Sequence, residues 1–227
     1  MDQPQLVAPS PGQVVDEAKT AAPSRDAADL AKSAEREKWR ASLREANQHV
    51  WLHGPHGSGD NLDASLKRNS AFIKRLKQTN LADAKDALVK EVQLLSLTKY
   101  LDELIPSIPE ILWKATTLKD RYAVIEILCA LHARFGGSEF TEPLLKVMEQ
   151  EIVPPPPKSQ DASNEQAQKE AALVARQRSL LRGVTEMVLV GLVGPMTQSE
   201  GVCAPGLNWL YEQLRKMLSQ DRDLVYT

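Results

Sequence analysis

Cysteine is nearly absent from this 227-residue chain. Cys129 and Cys203 are its only two, too few for a disulfide scaffold or a four-cysteine zinc site, and their scarcity implies a reduced, intracellular compartment. An excess of one charge sign is also missing: 28 Lys and Arg stand against 30 Asp and Glu, a formal net charge of -2. That balance excludes a histone-like mode of nucleic-acid binding but leaves room for a local basic patch. There is no membrane-length apolar run. The stretch from Val184 to Met196 is broken by Glu186 and Pro195, and at about a dozen residues it falls short of the ~20 that span a bilayer. The first twenty residues lack the basic start and apolar run of a signal peptide. The expectation is a cytoplasmic protein with no membrane partner.

What is present is helical periodicity. Residues 1–26, rich in Pro, Ala, Gln and Ser, have no apolar face able to offset ordering entropy and read as a disordered tail. Residues 27–56 read as a helix leading into the domain, with Trp39, Leu43, Ala46 and Val50 along one face. The run HGPHGSGD then breaks it. Residues 57–227 hold the rest of the domain. Asn61 or Asp60 caps a second helix, whose stripe is Leu62, Leu66, Phe72, Ile73 and Leu76. A third, from about Ala82, turns Ala84, Leu88, Val92 and Leu95 inward.

In the fourth helical stretch, Pro106 and Pro109 each delete a hydrogen bond, which predicts a kink or a split into two short helices. A fifth ends at Gly136-Gly137, and a short helix spans Glu142 to Val153 with Pro143 in its first turn. Four prolines from Pro154 open a linker over 154–168, either a spacer or a docking motif for a proline-reading domain. A long helix is expected from about Glu165 to Val193, with Gly183 and Gly191 allowing close backbone approach, and a final one carries Leu207, Leu210, Leu214 and Met217 or Leu218. The chain reads as all-α, a bundle or an α-solenoid of stacked hairpins.

Candidate chemistry is sparse. His49, His53 and His56 cluster across a helix end but lack an acidic partner at a recognised metal-site spacing. GPHGSG has no following Lys-Ser/Thr pair and is no phosphate loop. Cys129 and His132, three apart among Ile125, Leu128 and Leu131, read as core packing rather than a nucleophile and base. No catalytic group, metal or cofactor is expected. The better candidate is a basic face on the second helix, Lys67, Arg68, Lys74, Arg75 and Lys77, with Asp63 as its one opposing charge. It suits RNA phosphates, an acidic partner surface, or simply a solvated flank.

Several stretches together resemble a known family. LDASLKRNSAFIKRLK (62–77), LTKYLDELIPSI (97–108), VLVGLV (188–193) and WLYEQLRKML (209–218), preceded by LREANQHVW (43–51), are similar to the first middle domain of the regulator of nonsense transcripts 2 family. These are the up-frameshift-two scaffolds of nonsense-mediated mRNA decay, and the likeness covers roughly residues 36–222. It implies a HEAT-like α-solenoid of antiparallel hairpins, related to the middle domain of translation initiation factor 4G and without catalytic activity. It also implies, as partners of the longer family protein, the RNA helicase of the pathway and the third up-frameshift factor, contacted mainly outside this chain. A full middle domain has more helices than can be matched here. The chain is therefore expected to be incomplete at its C-terminal end, with an exposed apolar surface around Trp209, Leu210, Leu214 and Leu218.

Overall fold

The computed structural model describes residues 25–57, 62–78, 80–153, 164–194 and 205–225, with side chains placed from 29 to 217 within those stretches. They form α1 (Arg25–His53), α2 (Leu66–Leu76), α3 (Leu81–Leu94), a 3-10 turn (Thr98–Tyr100), α4 (Leu101–Lys114) and α5 (Leu118–Gly136). A π-helical turn (Gly137–Thr141) leads into α6 (Glu142–Glu151), followed by α7 (Asn164–Leu189) and α8 (Pro205–Val225). Among the described residues extended pairing is confined to one parallel bridge between Asp63 and Leu95. The class is all-α, as the periodicity predicts.

The chain divides into two units, residues 1–36 and 37–227. The described part of the first is the opening of α1, with an exposed Lys32–Asp29 ion pair. Apart from Arg25 and Asp26, the expected tail lies outside the described residues. The remaining structure belongs to the second unit.

There α3 packs on α5, α4 on α6 and α7, and α7 on α8. Leu88 and Val92 of α3, Leu104, Ile108 and Leu112 of α4, Ile125, Leu128 and Leu131 of α5, and Leu180, Val184 and Met187 of α7 are all buried. α5 is covered on several sides, so its apolar residues run round the whole cylinder instead of forming one stripe. Each fully buried Leu or Ile contributes about 1.5–3 kcal/mol of transfer free energy, so this shared core outweighs any single local propensity.

That weight explains the first difference, which concerns the split, one of the two outcomes expected at the prolines. α4 is continuous through Pro106 and Pro109 and does not split. Each proline removes one backbone donor, but Leu104, Ile105, Ile108, Ile111 and Leu112 anchor both halves in the same core. A second difference lies at α2, which begins at Leu66 with Ser65 in the N-cap position. Asp60 and Asn61 are outside the described residues. Asp63 organises this entrance: its carboxylate accepts the Ser65 N–H at 2.8 Å, and its carbonyl accepts from the Asn69 amide. The Ser65 backbone bond holds the Asp63 carboxyl below the usual range. Leu66 consequently faces solvent, and the buried stripe is Asn69, Phe72, Ile73 and Leu76.

The third difference is the face α1 presents. Ala46 is exposed and Asn47 is buried, so the docked stripe combines the half-buried Trp39, Leu43 and Trp51 with Asn47 and Val50. The cause is the end of α7. Gly191, at φ 70°, closes that helix at Leu189 rather than Val193. The Gly191 N–H bonds the Val188 carbonyl and the Leu192 N–H bonds the Met187 carbonyl, a left-handed terminus that glycine favours. The next three carbonyls are then free, and α1 supplies all three donors. Arg44 Nε donates to Leu189 O at 3.0 Å, Asn47 Nδ2 to Val190 O at 2.8 Å and Trp51 Nε1 to Gly191 O at 3.1 Å. Spacings of three and seven put these donors on one helical face. One turn earlier Arg40 grips Glu186 with two bonds, 2.9 and 2.7 Å, and Trp39 Nε1 donates to Glu126.

Trp51 is seated by glycine. A Cβ on Gly137 would fall 2.3 Å from the Trp51 ring. Trp51 also tilts against His132, centroids 4.7 Å apart, and His132 Nδ1 pairs with Thr141 Oγ1 at 2.7 Å. Burial pushes the His132 imidazole from 6.5 down to about 4.

Two outcomes are expected. Gly137→Ala displaces Trp51 and lowers stability by about 1–3 kcal/mol, read as a lower urea midpoint at unchanged slope; an unshifted midpoint would refute this seating. In the window from about 6.5 to 4, the unfolded chain binds a proton at His132 that the folded chain rejects. Stability therefore falls by about 2 kcal/mol between pH 7 and pH 5, and His132→Gln removes that component from urea curves taken at the two pH values.

Candidate interaction surfaces

The basic face on α2 survives only in part. Arg75 pairs with Glu91 of α3, Lys77 with Glu103 of α4 at 3.3 Å, and Arg68 with Asp63. Asp63 is therefore not the sole opposing charge; packing brings two further carboxylates that sequence distance concealed. Lys67 and Lys74, seven residues apart and exposed, have no carboxylate partner among the described residues. The five predicted cations thus separate into three that tie α2 to its surroundings and two that face solvent on one side.

Imidazoles of the histidine cluster do come together. His49 stacks on His53 with centroids 4.4 Å apart and on His56 at 5.5 Å. Stacked rings hold their nitrogens side by side rather than aimed at a common centre. No group of three His, Cys, Asp or Glu among the described residues is arranged to hold a metal ion. The loop after α1 is pinned by the His56 N–H, which bonds the Ala133 carbonyl of α5 at 2.9 Å.

Cys129 and His132 do not meet as a nucleophile and base. Cys129 Sγ accepts from Asn47 Nδ2 at 3.2 Å, while His132 turns to Thr141. Burial pushes the Cys129 thiol up to about 12, so it stays protonated and inert at neutral pH. Two buried arginines are spent on backbone: Arg121 donates to Ala115 O at the end of α4, and Arg134 to Val92 O near the end of α3. Both satisfy carbonyls that helix ends leave open.

α8 presents an apolar surface. Leu207, Tyr211 and Leu214, at spacings of four and three, are 41%, 63% and 40% exposed, while Trp209 and Leu210 are half-buried. Trp209 Nε1 donates to Glu149 of α6 at 2.7 Å and orients the helix. Leu218 has no described side chain.

Sequence reading missed the α1–α7 seam and a small cleft at the helix turns. The seam had a signal, because Arg44, Asn47 and Trp51 are donors at inward spacing in an otherwise amphipathic helix. The cleft had none: it joins Gln78, Asn80 and Leu81 with Ile111 and Ala115, residues about thirty positions apart.

No family model matches the chain. Nonsense-mediated mRNA decay protein 2 of Saccharomyces cerevisiae is 38% identical over 132 residues, which is 58% of this chain and 12% of that protein. Regulator of nonsense transcripts 2 of Mus musculus is 31% identical over 192 residues, 83% of this chain and 13% of that protein. The chain therefore spans about an eighth of the length of these curated relatives. Among solved structures, the N-terminal mIF4G domain from S. cerevisiae Upf2, a protein involved in the degradation of mRNAs containing premature stop codons, superposes with a TM-score of 0.62 at 29% identity. That likeness covers 80% of this chain and 60% of the yeast one. The all-α class read from periodicity and the α-solenoid implied by the resemblance agree with this neighbour, and the two sides of the seam are the stretches LREANQHVW and VLVGLV. Over most of its length the chain is a homologue of the nonsense-mediated mRNA decay 2 and regulator of nonsense transcripts 2 proteins, and its fold is that of the N-terminal mIF4G domain of yeast Upf2.

Proposed function

We propose that this chain is a non-enzymatic scaffold module of nonsense-mediated mRNA decay, acting in the cytoplasm by presenting rigid helical surfaces to other proteins. The observation that carries this reading is the structural likeness to the yeast mIF4G domain over four-fifths of the chain. The side-chain chemistry supports it. Cys129 is buried and protonated, the exposed histidines stack on one another, and the buried arginines are committed to helix ends. Function then rests on shape and on the seam that fixes α1. The partners proposed for the longer protein are the RNA helicase of the pathway and the third up-frameshift factor. Excising this module from the longer protein should weaken co-precipitation of those partners and stabilise a reporter mRNA with a premature stop codon. Unchanged assembly and decay would defeat the scaffold reading.

A second reading, direct RNA contact, is favoured by Lys67 and Lys74, the two α2 cations left without carboxylate partners. Paired phosphate contacts there predict affinity that falls with salt. A Lys67→Glu/Lys74→Glu double variant should bind oligouridylate at least tenfold more weakly at low salt and lower the salt slope by about 1.4. Equal binding by both proteins, or none by either, removes this reading.

A further inference from the structure

The cleft between the α2–α3 turn and the α4–α5 turn, about 250 Å³ in volume, has the form of a receptor for one side chain. Its floor is apolar: Leu81, Ile111 and Ala115 are 4%, 4% and 5% exposed. Its rim is polar, with the amides of Gln78 and Asn80 and the hydroxyl of Thr116. A volume of roughly eight water molecules is below the range of drug-sized ligands but suits one large residue.

The rim is held in place before anything enters. Asp120 accepts the Thr117 hydroxyl at 2.6 Å with one carboxylate oxygen, and its own N–H bonds Thr117 Oγ1 at 3.0 Å. Its other oxygen accepts the Ala82 N–H at 3.1 Å, so the carboxylate braces Thr117, the cap of α5, and serves the first turn of α3. Asn80 occupies the left-handed region, φ 64°, and the Gln78 N–H bonds Arg75 O. The two turns that form the cleft are thus tied to each other, and little ordering cost remains for a ligand to meet.

Charge around the cleft decides the class of occupant. Lys114 is paired with Glu110 at 2.6 Å and Lys77 with Glu103 at 3.3 Å, while Asp120 adds a further carboxylate. A near-neutral rim gives a polyanion no attraction. An apolar floor beneath uncharged amides and a hydroxyl matches an aromatic residue with a polar tip, the kind of side chain that dominates protein interfaces.

We propose that this cleft is the anchor point for a Tyr or Trp side chain carried by a partner polypeptide. The proposal rests on the scaffold reading and names the chemistry of one docking site within it.

The test is a ¹⁵N-resolved NMR titration of the whole chain with N-acetyl-tyrosinamide and N-acetyl-tryptophanamide, with N-acetyl-alaninamide and oligouridylate as comparison probes. Saturable shifts confined to residues 78–82 and 111–120 are expected for the two aromatic amides. Ala115→Leu fills the floor and should abolish them. If that variant fails to fold, Asn80→Gly serves instead: it removes the rim amide, tolerates the left-handed backbone, and should weaken binding at least threefold. Absence of saturable shifts, equal response to the alanine probe, indifference to both substitutions, or preferential occupation by oligouridylate would each overturn the proposal. Probe binding does not depend on decay-complex assembly, so this result and the scaffold test fail separately.

Discussion

Three backbone carbonyls at the end of α7 determine where α1 sits. Gly191 turns the chain out of the helix and satisfies the two preceding carbonyls internally. Leu189, Val190 and Gly191 then point their oxygens at a neighbour. Arg44, Asn47 and Trp51 answer them from successive turns of α1. Each such bond contributes only about 1 kcal/mol net, but a buried carbonyl left unanswered costs about 1–3 kcal/mol. The seam therefore acts chiefly through the penalty of leaving it, which selects one register for α1. A one-residue rotation would break all three bonds together.

The rest of the second unit adapts to that register. Trp51 needs the space that glycine leaves at 137, and it covers His132, whose burial keeps the ring neutral. Asn47 shares its amide between Val190 O and Cys129 Sγ, linking α7 and α5 through one side chain. Polar groups thus supply direction and apolar burial supplies most of the free energy. Helix-end carbonyls elsewhere are treated likewise, by Arg121 at α4 and Arg134 near the end of α3.

Charge on the surface follows a similar economy. Arg68, Arg75 and Lys77 hold α2 against Asp63, Glu91 and Glu103, leaving Lys67 and Lys74 to face solvent. Basic residues in a linear stretch overstate a positive patch whenever the fold returns carboxylates to it. The cleft beside α2 is near-neutral for the same reason, which suits a polypeptide partner rather than a phosphate backbone.

The sequence by itself determined the helical class, the approximate helices and most of the buried stripe, because burial on one face imposes a 3.6-residue period that can be read locally. It also carried the family likeness, in stretches that lie in α2, α4, α8 and the two sides of the seam. Tertiary structure decided what depends on a distant partner. Asn47 rather than Ala46 faces inward because a carbonyl more than 140 residues away requires a donor. α4 stays whole through two prolines because the core holds both halves, and two of the five basic residues, Arg75 and Lys77, are paired by carboxylates from other helices. The cleft could not be foreseen, since its two halves meet only when Asp120 of α5 reaches the first turn of α3. Local propensity is written residue by residue, whereas hydrogen-bond and charge satisfaction are properties of pairs, and the pairs exist only in the folded chain.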